Sequence, residues 1–181
     1  MRWILIALGL TLSALPAWSQ VSDADWSKCQ NSDPDTIISV CTAIIQSGQA
    51  TGANLANAYY NRGDGYGEKG LLDLAITDFD TAISLKPDDA EAFLGRGICY
   101  EAKGVFAQAV ADYDKAIVLK PDFAIAYYNR GHYDEGRGLR TQAIADYEAT
   151  LRFAAANQQD PNTAYAVAAA KAHLKHLGVT P

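Results

Sequence analysis

The sequence is short of cysteine, histidine and positive charge. Three cysteines in 181 residues are too few for a small disulfide scaffold and for most structural zinc sites. Lysine and arginine number 15 against 21 acids, a net charge of −6. A general nucleic-acid binder needs a basic face to meet phosphates, so that class is excluded. Beyond the first residues no apolar run is long enough to span a membrane. Nucleophile elbows, phosphate loops and zinc-protease motifs do not occur. Gly63-Asp64-Gly65-Tyr66-Gly67 is glycine-rich, but it lies in a helical pattern and follows no strand, which argues against a phosphate cradle. What is present is 49% hydrophobic, 20% charged and 10% aromatic, the composition of a globular chain and not of a disordered or collagen-like one.

The amino terminus reads as a secretory signal peptide. Arg2 supplies a positive start, residues 4–15 are uncharged, Pro16 breaks the run, and Ala17 and Ser19 are the small residues before a cut ahead of Gln20. The run is short for a membrane anchor, and no cysteine stands at the cut to carry a lipid. Residues 1–19 are therefore expected to be removed on export, giving a periplasmic or secreted protein.

The rest of the chain repeats itself every 34 residues. Tyr60-Asn61-Arg62-Gly63 returns as Leu94-Gly95-Arg96-Gly97 and as Tyr128-Asn129-Arg130-Gly131. Gly70, Gly104 and Gly138 keep the offset, as do Ala75, Ala109 and Ala143, and Phe79, Tyr113 and Tyr147. Leu85-Lys86-Pro87 returns as Leu119-Lys120-Pro121. Such a period marks a repeat array. Each unit predicts two helices, over 56–69 and 71–85 in the first. Tyr59, Gly63 and Tyr66 fall on one face, and Leu72, Ala75, Ile76, Phe79, Ala82 and Ile83 make a second stripe. Gly70 is placed to stop the first helix. Asp88 or Asp89, and Asp122 one unit later, are candidate caps for the helix that follows. One helix pair cannot bury such a stripe, whereas stacked neighbours can.

These residues resemble the tetratricopeptide repeat family, whose 34-residue pattern runs aromatic, Gly, Tyr, Ala, aromatic, Ala, Pro. Here it is Tyr59, Gly63, Tyr66, Ala75, Phe79, Ala82, Pro87, then Phe93, Gly97, Tyr100, Ala109, Tyr113, Ala116, Pro121. The third unit keeps Tyr127, Gly131, Ala143 and Tyr147 but has Asp134, Thr150 and Ala155 where the pattern asks for Tyr, Ala and Pro. The resemblance implies an all-α, right-handed superhelical solenoid of antiparallel helix pairs. Its repeats are 56–89, 90–123 and 124–157, preceded by an incomplete pair over 20–55 and followed by a capping helix and tail over 158–181.

One period before Gly63 and Ala75 stand Cys29 and Cys41. The family reading puts these positions where paired helices touch, so a disulfide is expected there, with two free thiols or a metal site as the other readings. Cys99 has no partner at repeat spacing and is expected to be a buried thiol. Asp33 and Pro34 suit the start of the second helix of this pair. A final helix is expected over 163–177, with Lys171, Lys175 and His176 at its favourable end.

Candidate chemistry is sparse. Each repeated arginine has an aspartate sixteen residues on: Arg62 with Asp78, Arg96 with Asp112, Arg130 with Asp146. Structural ion pairing is the preferred reading over an anion-binding ladder. His132 and Glu135, and also His173 and His176, have a chelating spacing, but neither pair shows a third ligand. No cofactor or bound metal is expected.

In tetratricopeptide proteins the first helices line a concave groove that holds partner peptides. The resemblance implies that role for Asn57, Tyr60, Asn61, Asp64 and Glu68, then Glu91, Leu94, Ile98 and Glu101, then Ile125, Tyr128, Asn129, His132 and Glu135. The other reading is that these residues are solvated, or covered by the last helix. A lysine-rich lining, by which some members hold a C-terminal carboxylate, is absent. The function expected is a non-catalytic scaffold that binds a protein segment carrying basic and apolar residues. A metal-dependent enzyme or accessory protein using His132 and Glu135, and a module for self-association, are the alternatives.

Overall fold

The computed structural model describes residues 20–154 and 161–180. The signal-peptide reading and the expected boundary at 157/158 lie outside them. The described residues form an all-α repeat fold of antiparallel helix pairs: α1 (Asp23–Gln30) with α2 (Pro34–Ser47), α3 (Gly52–Glu68) with α4 (Leu72–Leu85), α5 (Ala90–Ala102) with α6 (Phe106–Leu119), and α7 (Ala124–Gly136) with α8 (Arg140–Ala154). The helix α9 (Pro161–His176) packs on α8 and α7.

Local chemistry sets most boundaries. Ser22 and Asp25 make a reciprocal capping box on α1, and Asp33 accepts from the Thr36 amide ahead of Pro34. Asp89 caps α5 by accepting from the Glu91 and Ala92 amides. Asp122 does not repeat this. Phe123 occupies the cap position of α7 without a side-chain bond, because its ring is buried in the cluster around Phe93 and Tyr113. The helix α3 also starts four residues earlier than the sequence pattern, after an uncapped Thr51. Gly70, Gly104 and Gly138 end the first helices of the three repeats at φ +71°, +76° and +73°, which side chains with a Cβ adopt at a cost.

Within each repeat the two helices meet at a glycine. A Cβ on Gly97 would lie 2.7 Å from the Tyr113 ring and 3.2 Å from the Ala109 carbonyl. One period before the first full repeat, the same contact is covalent. Cys29 and Cys41 form a disulfide with Cα atoms 5.1 Å apart, fully buried among Ile37, Ile44, Ala50 and Ala58. Closing that loop stabilises by roughly 2–3 kcal/mol in the chain-entropy account. Cys99 is a free, buried thiol. Burial, and then the charge of Asp64, push it up to about 11.

The arginines tie helices within and between repeats. Arg62 grips Asp78 with two hydrogen bonds of 2.7 and 2.8 Å, and Arg96 and Arg130 hold Asp112 and Asp146 in the same way. The aspartates are almost fully buried. The remaining guanidinium nitrogen reaches back one repeat, from Arg96 to Asp80 and from Arg130 to Asp114, each at 2.6 Å. Arg62 finds only the Thr42 hydroxyl, at 3.1 Å. Tyr59 and Tyr66, which share one face in the sequence pattern, are half-buried, and the Arg62 guanidinium carbon lies over both rings, 5.4 and 5.8 Å from their centroids.

Candidate functional site

A cavity of about 560 Å³ opens between α3, α5, α7 and α9. Its floor is apolar. Leu94, expected to be an exposed groove residue, is 7% exposed and belongs to the core cluster of Phe93 and Tyr113. Ile98 stays 45% exposed, and Ile125 is half-buried beside it on the cavity wall. Tyr60 packs against Phe79 at 5.8 Å. Tyr128 packs against Tyr147 and Tyr165 at 6.1 and 6.2 Å.

The rim carries Asp64, Glu91, Asp122 and Lys120, with Asn129 beside them. Lys120 is held 4.4 Å above the Phe123 ring and 3.7 Å from Glu91. Asp64 takes part in no ion pair among the described residues. Loss of water around it, and then the charge of Glu68, raise its carboxyl above the ordinary value. Burial, and then Asp64, Glu91 and Asp89, raise the Tyr60 hydroxyl. Toward the amino-terminal end the cavity continues into a polar cleft of about 470 Å³, where Asn57, Asn61 and Gln30 face Asp88 and Asp89. Glu68 lies on the exposed last position of α3 and lines neither cavity.

Three of the residues expected in this groove do other work. The Tyr113 hydroxyl donates to Glu101 at 2.5 Å, and the Tyr147 hydroxyl to Glu135 at 2.7 Å. His132 sits 3.6 Å from Glu101, not on Glu135, and shares a separate notch with Phe106 and Tyr133. Glu135 instead meets α9. Its two oxygens lie 2.7 Å from His173 Nδ1 and 3.3 Å from His176 Nδ1. Partial burial of Glu135 opposes ionisation. The Tyr147 hydrogen bond, the charge of His173 and the two histidine contacts outweigh it, holding the carboxyl below its usual range. Both chelating spacings seen in the sequence are thus spent on helix docking, and no group of three or more His, Cys, Asp or Glu among the described residues is arranged to hold a metal.

Sequence reasoning missed Lys120, Phe123 and the α9 wall of Thr163, Tyr165 and Ala166. The tyrosine–glutamate pairs did leave a signal. Where the first repeat has Phe79 it also has Gly67, and both later repeats have Tyr and Glu at these two positions.

Stacked helix pairs of this length, a 34-residue period and a groove along the first helices are one architecture. The tetratricopeptide repeat family model matches residues 60–123. Over those residues the chain is of the tetratricopeptide repeat family. No curated protein sequence matches it. The crystal structure of MamA is 27% identical, covers 70% of this chain and 72% of its own, and has a TM-score of 0.60. The first such repeat domain of Spaghetti (RPAP3), bound to the HSP90 peptide SRMEEVD, is 21% identical over 71% of this chain and 99% of its own, with a TM-score of 0.56. YrrB, described as a tetratricopeptide protein with an unusual peptide-binding site, is 17% identical over 74% of this chain and 65% of its own, with a TM-score of 0.57. The last two share the fold alone with this tetratricopeptide protein. Tetratricopeptide repeat proteins are generally interaction scaffolds, and the match supports that coarse role here.

Proposed function

We propose that this tetratricopeptide protein is an exported, non-catalytic scaffold that binds an extended protein segment in the groove between α3, α5, α7 and α9. The observation that carries the reading is a cavity lined by the apolar side chains of Ile98 and Ile125 together with the acids Asp64, Glu91 and Asp122. An apolar centre with a polar rim is the anatomy of an interface. The HSP90 peptide held by the Spaghetti repeat domain is rich in acids. The rim here has the opposite requirement, so the expected segment carries lysine or arginine next to large apolar side chains.

Affinity capture with the full chain, from the periplasmic or culture fraction of a native host, followed by cross-linking and mass spectrometry, tests this. The informative variant is Ile98→Glu, since Ile98 is exposed and its loss leaves the core intact. Tyr128 and Leu94 are unsuitable because both pack inward. Burying a glutamate under the partner should weaken capture about tenfold or more, with helical circular dichroism unchanged. Equal capture by Ile98→Glu, or cross-links confined to the outer face of α4 and α6, overturns the groove. A chain recovered with Gln20 as its first residue fits export; a chain beginning at Met1 in its native host overturns it.

A further inference from the structure

The helix α9 is anchored as firmly as a core element, yet it presents an aromatic ring to solvent. Ala166, Ala170 and Leu174 are each at most 1% exposed, and the last two pack with Ala143 and Tyr147. Beyond them His173 and His176 both sit on Glu135, and the His173 ring stacks on Tyr147 at 5.1 Å. These contacts fix the rotation of the helix about its axis. The face so turned toward the cavity carries Tyr165, which is 68% exposed and stands edge-on to Tyr128, with ring planes at 84°. A large apolar ring held in water on a rigid element is costly unless something covers it. The same cavity is lined by Ile98, Ile125 and Asp64, and the Asp64 carboxylate makes no ion pair among the described residues.

We propose that Tyr165 is a specificity-determining residue of the groove. With Tyr128, Ile98 and Ile125 it forms a box for one aromatic or long aliphatic side chain of the bound segment, a neighbouring lysine or arginine of that segment pairs with Asp64, and the Glu135–histidine contacts position the Tyr165 wall. This inference rests on the groove reading above and adds the side-chain class that the groove selects.

Selection of a random dodecapeptide phage library on the full chain tests it. On the wild type, recovered peptides should place an aromatic or long aliphatic residue within three positions of a lysine or arginine. On Tyr165→Ala the enrichment of large apolar residues should fall about fivefold, and the best wild-type peptide should bind about tenfold more weakly. Tyr165→Phe should retain both. Asp64→Asn should remove the preference for lysine and arginine and leave the apolar preference. Glu135→Gln, followed by hydrogen exchange, should speed exchange in the α9 amides at least tenfold while α3–α6 are unchanged, and should lower peptide affinity. Identical apolar enrichment on wild type and Tyr165→Ala overturns the proposal while leaving the groove in place. Unchanged α9 exchange in Glu135→Gln overturns the positioning role. No enrichment of any sequence on the wild type overturns the groove reading itself.

Discussion

The glycine at the waist of each repeat is closely faced by the paired helix, and at Gly97 the facing ring leaves no room for a Cβ. At Gly97 the ring is Tyr113, whose hydroxyl is also tied to Glu101, so it cannot swing aside to admit a methyl group. Gly97→Ala should cost roughly 1–3 kcal/mol of unfolding free energy. Gly136→Ala, where an added Cβ meets nothing within 4 Å, should change stability by less than ~1 kcal/mol and in the stabilising direction. Urea unfolding of both variants checks the contrast. Cys99 offers a second test. A thiol buried at 4% exposure and pushed up to about 11 is protonated at pH 8 and should resist iodoacetamide in the folded protein while reacting after denaturation. At this scale the sequence was legible where partners share one repeat. The spacing of sixteen pairs each arginine with its own aspartate. The second bond, from Arg96 to Asp80 and Arg130 to Asp114, depends on how one repeat is rotated against the next, and no spacing inside a unit carries that. Glu101 and Glu135 were misread as groove acids because an exposed-looking helical position says nothing of a tyrosine hydroxyl arriving from the paired helix.

Among the helices, the two at the array's ends differ from the rest. The helix α1 has eight residues and buries only Cys29 fully, so its attachment depends on the disulfide. The Cys29→Ala, Cys41→Ala double variant should lose roughly 2–3 kcal/mol in the α1–α2 pair, read as faster hydrogen exchange there, while α5–α8 keep their protection. The helix α9 depends on Glu135. The folded carboxyl lies below its usual range, so its contribution is fully present above the ordinary carboxylate range and is lost as pH falls through the lowered value. Acid titration should therefore release α9 protection in the wild type, and the pH dependence should flatten in Glu135→Gln. Helix existence and type were readable along the whole described chain from apolar spacing, glycines and cap residues. Cap identity failed at Phe123, where burial of a ring outweighed the capping preference of Asp122. The inward face of α9 was hidden as well, because that helix follows no repeat and its partner positions lie on α7 and α8.

The described residues form a line of units in which Arg96 and Arg130, the repeated arginines after Arg62, are each a bolt through two repeats. Arg96 and Arg130 reach back to a carboxylate, whereas Arg62 reaches back to a neutral hydroxyl. All three bonds have a charged donor, and the carboxylates add a Coulomb attraction that the exposure of Asp80 and Asp114, 52% and 54%, reduces. The backward bond of the arginine is therefore weakest at the joint between α1–α2 and α3–α4. Because the polar cleft around Asn57, Asn61 and Gln30 straddles that same joint, a partner spanning it would act as a splint, and the α1–α2 amides should exchange more slowly once it binds.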